Sequence, residues 1–319
     1  MIRIGIDLGG TNIAVGAVNE RHEIIARCSV PTGAERPAQA VIADMCAAVE
    51  EALRRAGLTA ADCASIGIGS PGTCDPETGV VARAYNLGWK DVPVCRMLTE
   101  HFGLPAHLGN DANCAALAEV VAGAAAGRRD VVLITLGTGV GGGIIIGGKI
   151  YAGMRGAGAE LGHTVLVLDG EPCTCGRRGC WEKYASARAL SEDTCKAMQQ
   201  NKDNIMWSYV EGDLSRVNAK TAFDAMRAGD ILAKEVVDTF LEYVACGIVN
   251  VINIFQPEIL CIGGGISKEG DTLLKPLQAL VDEEDFARTN AVRTKIVTAK
   301  LFNDAGIVGA ACLGRQQAL

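Results

Sequence analysis

The sequence predicts an α/β protein built from two similar lobes. An apolar strand, a Gly/Thr turn and a second apolar strand occur over residues 4–18 and again over 131–146, with Thr11 and Thr138 in matching places. Repetition of one supersecondary device at the head of each half points to internal duplication. The 319 residues suffice for two cores.

Residues 2–18 read as strand, Gly9-Gly10 turn and strand, with a third strand over 22–30. In 37–57, Val41, Ile42, Met45, Val49 and Leu53 recur at helical spacing between an early proline and a closing glycine. A short buried strand is expected at 64–69, a helix at 91–102 and a strand at 105–108. An Ala-rich helix should follow over 111–123, its first-turn aspartate favoured by the helix dipole. Gly147-Gly148 supplies a hairpin turn into 149–151. After a Gly- and Cys-rich stretch at 153–180 come several helices, the longest near 230–255. A last strand at 259–262 runs into Gly263-Gly264-Gly265, and a helix closes the chain near 304–315.

Composition narrows the function. Hydrophobic residues at 49% and charged residues at 21% describe a globular chain. A net charge of -7 lacks the clustered cations that a nucleic-acid footprint needs, so no nucleic-acid partner is expected. The most apolar tract, 131–146, is broken by five glycines and two threonines, so no membrane partner is expected either. The strand pattern starts at Ile2, which leaves no room for a secretory leader, and the expected location is cytoplasmic. Most of the thirteen cysteines then read as reduced, small core residues.

Five constellations carry chemistry, one of them Gly263-Gly264-Gly265-Ile266-Ser267 at the carboxyl end of an apolar strand, the edge where ligands sit in an open α/β sheet unless it is a plain strand-to-helix turn. In Asp7-Leu8-Gly9-Gly10-Thr11-Asn12, glycines let backbone amides approach phosphate oxygens, the threonine can donate to them and the aspartate can hold a hydrated Mg²⁺. An ordinary hairpin would look the same. The second loop, Gly137-Thr138-Gly139-Val140-Gly141-Gly142-Gly143, would weaken a strand for nothing unless a ligand or another backbone came close. Asn110-Asp111 places a carboxylate at a strand-to-helix junction, suited to accepting a hydroxyl proton in phosphoryl transfer or merely to the helix dipole. His163, Cys173, Cys175 and Cys180 offer four soft donors for one tetrahedral, structural Zn²⁺. Free thiols or a disulfide are the alternatives.

These segments, with Glu160-Leu161-Gly162-His163 and the run Cys173-Thr-Cys-Gly-Arg-Arg-Gly-Cys-Trp-Glu182, together resemble the ROK family of sugar kinases over essentially the whole chain. Gly69-Ser70-Pro71-Gly72, the stretch from Pro76 and Asn86-Leu87-Gly88-Trp89 look most like its glucokinases. The resemblance implies two RNase H-like lobes of the actin/hexokinase type with ATP and a hexose in an interlobe cleft. It implies a smaller lobe at 1–108 and a larger one at 109–302 with a zinc-binding insertion at 153–182. A C-terminal helix near 303–319 would return to the first lobe.

By the same resemblance Asp111 is the general base, and Gly72, Asn86, Asn110, Asp111, Glu160, His163 and Glu182 hold the sugar. Asp7, Gly9, Gly10, Thr11, Asn12, Gly137, Thr138, Gly139, Gly264 and Gly265 hold Mg·ATP, with Asp7 reaching Mg²⁺ through water. Glucose is the expected hexose, with N-acetylmannosamine, N-acetylglucosamine, fructose and allose as alternatives, and a homodimer or homotetramer is the expected assembly. Two rivals from other classes are weaker. A non-catalytic sugar sensor needs no base beside two phosphate loops, and a zinc-ribbon nucleic-acid binder conflicts with the acidic charge.

Overall fold

Residues 1–316 are described by a computed structural model, and residues 317–319 of the expected C-terminal helix lie outside the described part. The chain divides into two compact units: Met1–Leu133 with Gly143–Ala159 and the segment from Lys300 onward, and Ile134–Gly142 with Glu160–Ala299.

The first unit opens with β1 (Ile2–Leu8), β2 (Asn12–Val18) and β3 (Ile24–Pro31), paired antiparallel in sequence. Helix α1 (Ala38–Ala56) follows, and the apolar stripe anticipated from its spacing, Val41, Ile42, Met45, Val49 and Leu53, is buried as one face. Gly57 closes it in the left-handed conformation. Strand β4 (Cys63–Ser70) then lies parallel to β1.

Next comes a small antiparallel sheet, β5 (Thr73–Asp75), β6 (Val80–Ala84) and β7 (Trp89–Val92), that the sequence pattern does not reveal. Its strands are too short for an alternation to register. The helix expected from residue 91 starts later, as α2 (Val94–Phe102), because Asp91 and Val92 belong to β7 and Pro93 caps the helix. A residue before proline is pushed toward extended backbone.

Strand β8 (Ala106–Asn110) adds to β4 in parallel and runs directly into α3 (Asp111–Ala122). The sheet order is β3-β2-β1-β4-β8.

The device recurs in β9 (Val131–Leu136), β10 (Val140–Ile146) and β11 (Lys149–Ile150). The second unit, which takes from these strands only residues 134–142, holds α4 (Glu182–Ala185), α5 (Ala187–Gln200), α6 (Met206–Tyr209), α7 (Ala219–Arg227) and α8 (Ile231–Phe255). Strand β12 (Ile259–Gly263), helix α9 (Asp271–Glu284) and strand β13 (Lys295–Thr298) follow.

The second five-stranded sheet has the order β11-β10-β9-β12-β13, the same pattern of a meander followed by two later strands. The expectation of a last strand at 259–262 is corrected by β13, a four-residue edge strand with one buried side chain. Helix α8 is long and apolar enough by length and composition to cross a membrane, yet 56% of its apolar stretch is buried, and it packs on α7 and α9.

The chain closes with α10 (Ala305–Gln316), which packs on β1, β4 and α3 of the first unit. One side chain secures the entry to it. Glu119 on α3 is fully buried, and its carboxylate accepts from the backbone N–H of Ala124, Lys300 and Leu301 at 2.6–3.1 Å. Glu119→Ala should strand these donors and lower unfolding stability by about 3 kcal/mol, measured by urea denaturation. Unchanged stability would refute this account. No disulfide forms among the described residues.

Candidate active site

In the first unit the site residues gather at the carboxyl ends of β1, β4 and β8, the edge where open α/β sheets bind ligands. Register places Asp7 opposite Gly69 and Ser70 opposite Asn110. The Gly9–Asn12 turn is closed by a bond from Gly9 N to Asn12 O of 2.9 Å and tied to the next strand by Thr32, whose hydroxyl donates to Gly9 O at 2.7 Å. Gly10, Thr11 and Asn12 are left exposed. The amide of Asn86 lies beside Gly10.

Asn110 organises the strand-to-helix junction. Its Oδ1 accepts from Ala112 N at 2.9 Å and Asn113 N at 3.3 Å, while its Nδ2 donates to Gly72 O at 3.3 Å. The helix cap is thereby joined to the loop carrying Gly72. Asp111, the first residue of α3, accepts from Ala112 N at 2.8 Å.

The side chain of Asp111 reaches solvent, but the atoms crowded around its carboxyl desolvate it. That desolvation raises its pKa against the opposing pull of its hydrogen bonds. Asp7 is pushed up to about 6, first by burial and then by the repulsion of Asp111. Two carboxylates that disfavour each other's charge make a place for a cation or a transferable proton.

A stability test follows from the sign of this shift. The folded state prefers neutral Asp7, so the ionised form is penalised as pH rises through about 6 and the penalty vanishes toward pH 4. Asp7→Asn should therefore melt about 2–4 °C higher than wild type at pH 8, the gap closing toward pH 4, and lose activity. A lower melting point at pH 8 would contradict the burial argument.

In the second unit the glycine loop follows β9. Gly137 N donates to Gly139 O at 3.0 Å, and Gly137 O accepts from Ala187 N at the start of α5. The loop after β12 lies against it: Gly264 has φ 85°, and a β-carbon there would lie 2.3 Å from Leu136 O. Only glycine satisfies both conditions. A cavity of about 550 Å³ opens beside these loops, lined by Thr138, Gly265, Arg188, Asn218, Lys220 and Lys268 among others. Of these, the sequence pattern singles out only Thr138 and Gly265. A capping box at Asn218 announces the start of α7, but nothing local says that it borders a cavity.

The His/Cys set comes together as the spacing predicts. One donor atom from each of His163, Cys173, Cys175 and Cys180 lies within 4.8 Å of the others, with Cys173 Sγ 3.6 Å from His163 Nδ1 and Cys175 Sγ 3.6 Å from Cys180 Sγ. Zn–S bonds of about 2.3 Å at tetrahedral angles put donors ~3.7 Å apart, so the residues fit zinc. Backbone bonds from Cys173 N to Arg177 O and from Gly176 N to Cys173 O shape the knuckle.

Trp181, 1% exposed, anchors the cluster by packing on Gly247 of α8 and donating to Tyr243 O at 2.9 Å. That anchor sets both its neighbours, Cys180 and Glu182. Glu182 Oε1 stands 3.1 Å from Cys173 Sγ and 3.7 Å from His163 Nδ1. Glu160, exposed, leads into the turn that carries His163.

Known proteins are similar to this one along nearly the whole chain. Residues 3–317 match the ROK family. A glucokinase of Halalkalibacterium halodurans is 37% identical over 98% of this chain and 95% of that protein, and one of Thermotoga maritima is 36% identical over 98% and 97%. The crystal structure of a ROK family glucokinase from Streptomyces griseus, in complex with glucose and AMPPNP, is similar with a TM-score of 0.83 and 36% identity over 99% of this chain and all of that one. With a family match of this extent and relatives alike from end to end, the chain belongs to the ROK family.

Proposed function

We propose that this sugar kinase of the ROK family transfers the γ-phosphoryl group of ATP to glucose, giving glucose 6-phosphate, with Asp111 as general base. The observation that carries the reading is the Asp111 carboxylate, held at the end of β8 by the Asn110 cap and desolvated beside Asp7. A base with its pKa raised toward neutrality accepts a hydroxyl proton more readily.

In the proposed reaction the sugar oxygen forms its bond to the γ-phosphorus as its proton passes to Asp111, and the bond from that phosphorus to the β–γ bridging oxygen breaks to release ADP. Gly72, Asn86 and Asn110, with Glu160, His163 and Glu182, orient the sugar. Gly9, Gly10, Thr11 and Asn12, with Gly137, Thr138 and Gly139, bind phosphate oxygens, and Gly264 and Gly265 border the nucleoside. Mg²⁺ carried with ATP, reached through water by Asp7, would neutralise phosphate charge.

Zinc held by His163, Cys173, Cys175 and Cys180 would brace the sugar-facing residues. As a closed four-donor site it offers no open position for substrate. The likeness to glucokinases of similar length supports glucose over other hexoses. The test is ATP turnover, coupled to ADP detection, on glucose, N-acetylmannosamine, N-acetylglucosamine, fructose and allose. The expected result is a kcat/KM highest for glucose. A higher value for another sugar would reject the glucose assignment, and inertness with all five would reject the kinase.

A further inference from the structure

Glu182 touches two sites at once. Its Oε1 lies 3.1 Å from Cys173 Sγ and 3.7 Å from His163 Nδ1, two members of the metal-donor set. Its Oε2 faces the other way, onto the glycine loop, so close that a β-carbon on Gly139 would lie 2.6 Å from it. The side chain is 17% exposed, and the residue opens α4 directly after the buried Trp181. A side chain enclosed in this way cannot move at one end without moving at the other.

The loop's backbone is tied by the Gly137 N to Gly139 O bond and by Ala187 N donating to Gly137 O, and a β-carbon at Gly137 would meet nothing within 4 Å. Ordering Gly139 by a ligand therefore constrains the Glu182 carboxylate, and a metal on Cys173 and His163 would release the Cys173 thiol proton to solvent and set a cation on the opposite side of the same carboxylate.

We propose that Glu182 is a positioning residue that couples the His/Cys cluster to the glycine loop, so that zinc binding and nucleotide binding strengthen each other. The proposal rests on reading the cluster as a zinc site and the loop as a phosphate site. It goes beyond a sugar-facing role for Glu182, since the coupling operates with no sugar present. Two ligands that restrict one shared side chain lower each other's ordering cost, and the effect must be reciprocal.

The experiment measures zinc affinity of the full-length protein by competition with a chromogenic chelator, without sugar, in the presence and absence of Mg·AMPPNP. Nucleotide affinity is measured separately by calorimetry on the zinc-loaded and zinc-stripped forms. The expected result is zinc binding at least about fivefold tighter with nucleotide, the lower end of typical couplings, and nucleotide binding tightened by the same factor with zinc.

In Glu182→Ala both ligands should still bind while the factor falls toward one, and Glu182→Gln, which keeps the shape, should recover part of it. Gly139→Ala, which forces the carboxylate aside, should lower zinc affinity although it lies outside the donor set. Wild-type protein that binds both ligands with no mutual effect overturns the coupling alone, as does a factor unchanged in Glu182→Ala. Protein that binds no zinc or no nucleotide overturns the underlying site reading as well.

Discussion

Asp111→Asn is expected to leave the KM for sugar within a few-fold of wild type while kcat falls by roughly 10²–10⁴ or more, the range of general-base catalysis. Asparagine keeps the size of the side chain and can still accept from Ala112 N, a bond of 2.8 Å in the native protein, so the cap and the start of α3 should survive. Only the capacity to take the hydroxyl proton is removed.

The pH profile supplies a second readout. Raised by desolvation, Asp111 must lose its proton to act, so log kcat/KM should rise with pH and then level off. The share of the rising limb that comes from Asp111 should disappear in Asp111→Asn. Asp7 is itself pushed up to about 6, in part by the charge of Asp111, so the limb belongs to the pair and not to one residue alone. A variant with near wild-type kcat would remove Asp111 from the mechanism.

Loss of the metal should have the second large effect. Protein purified without added metal should carry about one zinc per chain by elemental analysis. Cys180→Ser removes a donor buried to 0% exposure, next to the Trp181 anchor, and should lower zinc affinity by at least 10–100-fold. Structural zinc contributes folding energy directly. The variant, or chelator-treated wild type, should therefore become sensitive to proteolysis within residues 164–180 and lose sugar kcat/KM in parallel. Nucleotide-independent stability of the first unit should change little, because its core is built from β1, β2, β4 and α1 without the cluster. A metal-free protein with full protease resistance and turnover would dismiss the structural zinc.

Much of this protein is legible in its chain because the decisive signals are local. The stripe on α1 has the helical period, the two Gly/Thr turns interrupt apolar runs, and the cysteine knuckle has donor spacing within one short segment. Strands of three or four residues, β5, β7 and β13, carry too few alternations to be read, and tertiary pairing alone defines them. The cavity bordered by Arg188, Asn218, Lys220 and Lys268 likewise draws on α5, α7 and the turn after β12, which are far apart in sequence.

The sequence by itself determined the duplicated α/β plan, the two loops and the four residues of the His/Cys cluster, since each rests on a local pattern. Only the tertiary structure decided that Asp7 and Asp111 repel one another, that Glu119 captures the backbone entering α10, and that Glu182 reaches both Cys173 and Gly139. Charge repulsion, desolvation and steric contact act through space, and their partners are chosen by packing rather than by position along the chain.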